Sequence, residues 1–503
     1  FENASGRDRG ILDELGNTVL YGHPDAQSIL TRIQVENDRL LLLRNTVEGE
    51  RPAGFVSYRE IGNDELFGVL KDMELANLVR GKSSREILLI TGIYAREENA
   101  GDSEVIRDAP QQLLVEVLAK ELEKNYSFAL FVAERGTTTK EVVYVLERQG
   151  FIRPHMADEN DKRTIYMVDM HEPLMFLHNL ETTIKEPFAS NPAVLDAIEK
   201  NHRKLQMAMT KLYPGNLVIS LSSGVMHHRL VDRITALNDV PREPLVPRRL
   251  GKNMCVPFGK ILRGKVVPNT VTKTLHTDKV YEPDLNSFTI EPFPYYSPLK
   301  SQIETIKSFD RPVILVDDLV HKADRLQVLV PQLRENGIPI RKVVVGVLSG
   351  YGRDLMQCLK VPVESIYSMP NLRQWFVEST LYPFIGGDTV RREEMKVAGL
   401  QPSINMILPY ATPRLSGCSR EALVEFSACC IENSRDLFQV LEAEYRKMYA
   451  KNLTLSRLSE AVILPLCPDK GSCMEYDENL AASVYLENDL ETLWRMKEFL
   501  IKG

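Results

Sequence analysis

The side chains with the clearest chemical potential are Asp317 and Asp318, adjacent carboxylates that follow the aliphatic run Val313-Ile314-Leu315-Val316. A short, mostly β-branched run without polar alternation is the pattern of a parallel strand covered on both faces. Ligands of open α/β sheets bind beyond the carboxyl ends of the strands. The pair is therefore expected where the strand leaves the sheet, placed for sugar hydroxyls or a hydrated metal ion. A second candidate is Ser222-Ser223-Gly224, which follows a strand expected over 217–221. Small residues let backbone N–H groups approach an anion, and the N-terminus of the next helix adds favourable partial charge. Lys322 and Arg325, just past the carboxylates, could pair with phosphate directly. His321 is a further phosphate contact to consider, since imidazole titrates near neutral pH. His227 and His228 lack ligand spacing and are expected on a helix flank.

Residues 242–279 reverse the charge of the chain locally. Arg242, Arg248, Arg249, Lys252, Lys260, Arg263, Lys265, Lys273 and Lys279 face only Glu243 and Asp278, in a protein of net charge -7. Gly251, Gly259, Gly264 and Pro268 make much of this stretch a loop. A basic loop between two halves of an anion site would close over a diphosphate, with Lys260, Lys265 and Lys273 as its contacts. A solvated basic surface is the competing reading.

The elements that must hold these groups alternate in type. Strands are expected over 55–61, 86–94, 127–133 and 163–170, and helices over 111–124 and 139–149. Asp108 is the N-cap of the first of these helices, with Pro110 in its first turn and Gln111 in the capping-box position. A connector helix over 191–212 carries Val194, Ile198, Leu205, Met209 and Leu212 at helical spacing. Beyond it come strands over 217–221, 313–316 and 342–348, and after about Arg391 a mostly helical tail with long amphipathic segments at 421–449 and 480–500. The reading is α/β, in three parts: 1–175, 176–395 and a helical region 396–503.

With 503 residues, 44% hydrophobic and 26% charged, the chain has an ordinary globular composition. Its acidic balance argues against a dedicated nucleic-acid surface, and no apolar run approaches the ~20 residues needed to span a bilayer. Seven cysteines without framework spacing fit a reduced, cytoplasmic setting. Cys467 and Cys473 flank a turn, and no further ligands stand beside them, so no metal site is assigned. The chain opens on Phe1, which leaves room for modules before it. The helical tail suits packing or a homo-oligomer contact.

Three segments together resemble the type I phosphoribosyltransferases: 214–225 with Ser222-Ser223-Gly224, 313–326 with Asp317-Asp318, and 381–388, Leu-Tyr-Pro-Phe-Ile-Gly-Gly-Asp. The resemblance implies that the aspartates lie on ribose hydroxyls, that the small-residue loop holds pyrophosphate, and that Mg²⁺ enters with the substrate diphosphate. One element departs from the family. A Thr-Gly-Gly/Ser-Thr turn that wraps the 5′-phosphate is replaced by Lys322-Ala323-Asp324-Arg325. That sequence lacks the glycine such a nest favours, and Asp324 adds negative charge.

Residues 40–170 resemble the GCN5-related N-acetyltransferases, the GNAT fold, through the strands and helices above and Leu146-Glu147-Arg148-Gln149-Gly150-Phe151. There Leu146 replaces the tyrosine that serves as acid in the family. The coenzyme A loop corresponds to 96–108, which retains only Gly101 and holds Glu97, Glu98, Asp102, Glu104 and Asp108. Acetyl-CoA is therefore not an expected cofactor. The leading expectation is a phosphoribosyltransferase-like protein that binds a phosphorylated ribose or nucleotide, with Mg²⁺-dependent glycosyl transfer. The alternatives are non-catalytic scaffold modules of a larger protein, and an acyl-CoA-dependent N-acetyltransferase.

Overall fold

The computed structural model describes residues 1–45, 49–83, 85–96, 108–134, 138–154, 163–247, 249–294, 296–392, 400–469 and 476–502. The chain is mixed α/β and divides into two compact units. The first comprises Phe1–Leu174, Pro214–Ser220 and Met369–Gln374; the second comprises Met175–Tyr213, Leu221–Ser368 and Trp375–Gly503.

In the first unit, β1 (Glu2–Ser5), β2 (Arg39–Asn45), β3 (Arg51–Ile61), β4 (Ile87–Ala95), β5 (Phe128–Glu134) and β6 (Arg163–His178) pair in chain order, and β7 (Asn216–Ser222) joins β6. Neighbours are antiparallel from β1 to β4 and between β5 and β6, whereas β4 and β5 run parallel. Helices α1 (Arg9–Asn17) and α2 (Ala26–Glu36) bury Leu12, Leu15, Ile29 and Ile33 against Leu40, Leu42 and Phe55. Helices α3 (Leu66–Leu70) and α4 (Met73–Lys82) pack Leu66, Leu70, Leu75 and Val79 with Ile87, Leu89, Phe128 and Leu130. The expected helices appear as α5 (Ala109–Glu121), with Asp108 at its N-cap, and α6 (Lys140–Arg148), where Thr139 Oγ1 accepts from Val142 N. The candidate coenzyme A loop lies outside the described residues, apart from Arg96 and Asp108. Leu146 is fully buried, so its side chain is committed to the core. Gly150 holds φ +89, and a Cβ there would stand 2.1 Å from the Asn216 carbonyl oxygen. The Gly-Phe signature thus marks a close approach of backbone to the edge strand.

The second unit contains two sheets. One runs β14 (Val363–Met369), β13 (Ile340–Ser349), β12 (Val313–Val320), β8 (Met254–Pro257), β9 (Val271–Thr272), with β12, β13, β8 and β9 parallel where they pair. Val313, Leu315, Val343, Val345, Met254 and Val256 are all buried in one cluster. Continuous aliphatic runs therefore become central strands because both faces are covered. The helices α7 (Pro192–Leu212), α8 (Ser223–Leu237), α9 (Leu299–Lys307), α10 (Asp324–Glu335) and α11 (Gly350–Cys358) belong to this unit, and Leu326, Leu329 and Leu333 of α10 enter the same cluster.

The second sheet runs β11 (Phe288–Pro292), β10 (Thr277–Tyr281), β16 (Asp388–Val390), β17 (Gln401–Ile404), β18 (Leu466–Pro468). A further short strand, β15 (Gln374–Val377), leads into a single helical turn, Glu378–Leu381. The tail beyond 395 is thus not purely helical. It supplies β17 and β18 alongside α12 (Arg420–Tyr449) and α13 (Ala482–Lys502), and it shares a compact unit with the parallel sheet. Three-residue strands such as β18 carry too little periodicity to be read from sequence. Among the described residues no helix is long and apolar enough to cross a membrane.

Candidate anion-binding site

Asp317 and Asp318 lie inside β12 rather than beyond it. Pairing with β13 continues to Val320 and Leu348, whereas pairing with β8 ends at Val316 and Pro257. The aspartates therefore stand where one neighbour leaves the sheet and the other stays. Phe258 N still donates to Val316 O at 3.0 Å. The chain then turns, and the Asp318 carboxylate takes over from the ladder. Its Oδ2 accepts from Lys260 N at 2.7 Å and its Oδ1 from Ile261 N at 2.9 Å. Asp317 Oδ1 accepts from Asp318 N at 2.9 Å. Gly259 makes this clasp sterically feasible. A Cβ there would stand 2.5 Å from Asp318 Oδ1 and 2.7 Å from Asp317 Oδ1.

Charged side chains surround the clasp. Burial pushes the Asp317 pKa up to about 7; Arg325 opposes that rise and Asp318 reinforces it. Burial lowers the Lys260 pKa, and Asp388 works against the loss of its charge. Burial also lowers the Arg263 pKa, with Arg325 adding repulsion, and the guanidinium lies 4.9 Å from the centroid of the Phe293 ring. Asp388, at the start of β16, is raised by burial and countered by Lys260 and Lys279. Asp278 Oδ2 accepts from Thr389 Oγ1 at 2.5 Å. Lys279 Nζ donates to Asp324 Oδ2 at 3.2 Å and sits 3.7 Å from the Phe288 centroid. The negative charge expected from Asp324 is thus partly answered by a cation from β10.

The turn after the aspartates departs from its expectation in one respect. Ala323 adopts φ 53 and ψ 25 at the N-cap of α10. The positive φ that usually calls for glycine is held here by alanine, at some cost in backbone strain. The first N–H groups of α10 have no partners within the helix. Lys322 is exposed, while Arg325 turns inward and donates through Nη1 to Phe258 O at 3.3 Å. His321 Nδ1 lies 2.8 Å from Ser349 Oγ, the hydroxyl that also caps α11 by accepting from Gly352 N. Burial and Lys322 lower the His321 pKa.

The segment 214–225 is placed differently from its expectation. Ser222 ends β7 and caps α8, accepting from Gly224 N at 3.2 Å. Ser223 and Gly224 are helical, and no loop separates strand from helix. Most of β7 belongs to the first unit's sheet. Asp317 itself pairs with Val345 of β13; on the other edge of β12 the neighbour is β8, from within the basic stretch, which ends opposite Val316 and is followed by the small-residue turn Phe258-Gly259-Lys260. That stretch is accordingly more than a loop. Lys260 is held against the aspartates, whereas Lys265 and Lys273 are exposed, and Arg248 lies outside the described residues. The sequence marks Lys260 as a diphosphate contact together with Lys265 and Lys273, but reads Gly259 only as a loop residue and Asp278 only as a counter-charge, and gives Asp388 no part in the cluster. A Val-Pro-Phe-Gly-Lys run after a buried Met-Cys was the available signal. His227 and His228 form an edge-to-face ring pair on α8, as expected of a helix flank.

No family model matches the chain, and no curated protein sequence matches it. Solved structures that it matches include an N-acyl amino acid synthase from uncultured soil microbes, at 17% identity and a TM-score of 0.24 over 34% of this chain and 95% of that one. A Tetrahymena GCN5 structure matches at 12% identity and a TM-score of 0.23, over 34% and 97%. A purine phosphoribosyltransferase from Pyrococcus horikoshii matches at 14% identity and a TM-score of 0.20, over 35% and 92%. Similarity at this level assigns no activity to the chain.

Proposed function

We propose that the second unit binds a phosphorylated ribose or a nucleotide at the carboxyl ends of β8 and β12, as a phosphoribosyltransferase-like domain. The observation that carries this reading is the clasp of Asp318 on Lys260 N and Ile261 N. It holds a glycine turn against two carboxylates, with Lys260, Arg263 and Arg325 close by. Asp317 Oδ2, the oxygen not committed to Asp318 N, would accept from a ribose hydroxyl. Lys260 and Arg325 would balance phosphate charge, and the orphan N–H groups at the start of α10 would receive phosphate oxygens.

Mg²⁺ would have to arrive with a substrate diphosphate. Each Asp318 oxygen already accepts from a backbone amide, so Asp317, with one oxygen bonded to Asp318 N, is the less committed of the two carboxylates for the ion's water shell. There the ion would neutralise charge on a departing pyrophosphate. In glycosyl transfer, the chain's own part would be to hold the ribose through Asp317 and to receive pyrophosphate charge on Lys260 and Arg325. Calorimetry with phosphoribosyl diphosphate and Mg²⁺ tests the reading. Saturable heat that Asp317→Asn diminishes is expected. No heat from the wild type, or heat unaltered by the substitution, refutes it.

A non-catalytic binding module is the second reading. It is favoured by the internal use of Asp318 and by the pairing of Lys279 with Asp324, which turn potential ligand contacts into structure. Binding without pyrophosphate release across a panel of nucleobase acceptors would favour it over a transferase. For the first unit we propose a GNAT-like scaffold without acetyl transfer, because Leu146 is buried where an acid is required. Acetyl-CoA turnover by the full chain would overturn that.

A further inference from the structure

A second group of chemically capable side chains lies in the second unit, outside the site above. His178 ends β6, His202 lies midway along α7, and Glu378 opens the helical turn after β15. The Glu378 side chain is fully buried, and each imidazole is 12% exposed. Glu378 Oε2 lies 2.7 Å from His202 Nε2 and 4.0 Å from His178 Nδ1. A second carboxylate, Glu181 Oε1, reaches within 3.7 Å of His202 Nε2 from a more exposed position. The two rings meet edge to face, with centroids 4.2 Å apart.

We infer that His178, His202 and Glu378, with Glu181 beside His202 as an outer carboxylate, form a binding site for one zinc-class divalent metal ion that ties three distant segments of the second unit together. Zinc takes two imidazole nitrogens and carboxylate oxygens at about 2.0–2.2 Å in a tetrahedron, which sets neighbouring donors roughly 3.4 Å apart. The three donor atoms lie within 4.8 Å of one another, and Glu378 Oε2 stands 2.7 and 4.0 Å from the two imidazole nitrogens, on either side of that value. Adjusting these two separations by less than about 1 Å would bring them to it.

The supporting residues are arranged as a metal site requires. Glu378 Oε1 accepts from Tyr382 Oη at 3.1 Å, which turns Oε2 toward the imidazoles. Tyr382 Oη in turn accepts from Asn433 Nδ2 at 2.9 Å. The chain neighbour of each ligand is pinned as well. Asn179, after His178, donates to Ser379 Oγ and accepts from Ser379 N, beside Glu378. Asn201, before His202, exchanges two hydrogen bonds with Asn433. Outer contacts of this kind orient ligands before the ion arrives. A His–Glu ion pair alone explains one imidazole. It does not explain a second imidazole and a second carboxylate converging on the same oxygen and nitrogen. Spacings of 24 and 176 residues between ligands are invisible to motif reading, which is why the sequence shows no metal pattern.

The full chain, stripped with a chelator and dialysed free of metal, should bind one equivalent of Co²⁺. The complex should show the intense visible d–d absorption of a four-coordinate ion, and Zn²⁺ should displace it. His178→Gln and His202→Gln should each weaken binding at least about 100-fold, and Glu181→Gln about tenfold, by analogy with the 10–100-fold effects of outer-sphere partners. Glu181 is exposed enough that its variant should keep the apo fold, so it and the wild-type titration decide the matter if the histidine variants fail to fold. Absence of Co²⁺ uptake, a weak six-coordinate spectrum, or binding unchanged in Glu181→Gln and the histidine variants would overturn the assignment. The site stands or falls independently of nucleotide binding, because none of its residues belongs to the clasp.

Discussion

Gly259→Ala tests the clasp that defines the candidate site. The new Cβ would stand 2.5 Å from Asp318 Oδ1, 2.7 Å from Asp317 Oδ1 and 2.8 Å from Asp318 N. All three are short-tethered atoms of a central strand, so the turn must move instead. The bonds from Lys260 N and Ile261 N to Asp318, at 2.7 and 2.9 Å, are the first to stretch. Hydrogen bonds to a charged group contribute about 1.5–3 kcal/mol each, so losing both would remove roughly 3–6 kcal/mol. Partial relaxation leaves an expected loss of about 2–4 kcal/mol. Trp375 and Trp494 are the only tryptophans, and both lie in the second unit. Urea unfolding followed by tryptophan fluorescence measures the loss, with Trp494 on α13 as the reporter and Trp375 replaced by Phe in both proteins. Asp318→Asn removes one acceptor and sets an amide against a backbone N–H, and it should cost a similar amount. The double variant should fall short of the sum by at least about 1 kcal/mol, because both changes break one clasp. A Gly259→Ala protein within about 0.5 kcal/mol of wild type, or strict additivity with Asp318→Asn, would refute the reasoning.

Asp317 predicts a pH dependence. Its pKa is about 7 in the folded protein and near the ordinary 3.8 when unfolded, so the folded state holds the extra proton between these values. Stability of the second unit should therefore fall as pH rises from about 4 to about 7, with a ceiling near 4 kcal/mol at ~1.36 kcal/mol per unit. Asp317→Asn should flatten that slope in urea titrations, and an unchanged slope counts against the assignment. Asp324→Ser removes a carboxylate from the first turn of α10 and should tighten inorganic phosphate binding by about tenfold, near 1.4 kcal/mol; weaker binding by calorimetry would show that phosphate does not sit there. In the first unit, Gly150→Ala meets the Asn216 carbonyl at 2.1 Å and should cost more than about 2 kcal/mol. Accelerated amide exchange in β5 and β6 checks this, and wild-type protection would contradict it.

Much of the fold was legible because it rests on local periodicity. The strands around Ile87–Ala95, Phe128–Glu134 and Val313–Val320, and the helices α5, α6 and α7, follow directly from aliphatic runs and helical spacing. Asp317 and Asp318 stood out for the same reason, as carboxylates at the end of a covered strand. The segment 222–224 is a capped helix start and not the expected loop, because a small-residue sequence after a strand can be either. Ser222 settles it as a cap, by accepting from Gly224 N. Ala323 was misread because positive φ is inferred from glycine, while the surrounding fold can impose it on another residue.

The order of elements along the chain, the aliphatic strands and the presence of two carboxylates in one of them are local properties, and the sequence alone determined them. Which strand lies beside Asp317, where Lys260 and Asp388 point, and whether His178, His202 and Glu378 meet are matters of long-range pairing. β8 is only four residues long, and its identity as the neighbour of β12 comes from parallel hydrogen bonding across some sixty positions, as in Val313↔Met254. No window of the sequence contains both partners of such a contact, so only the tertiary structure could decide it.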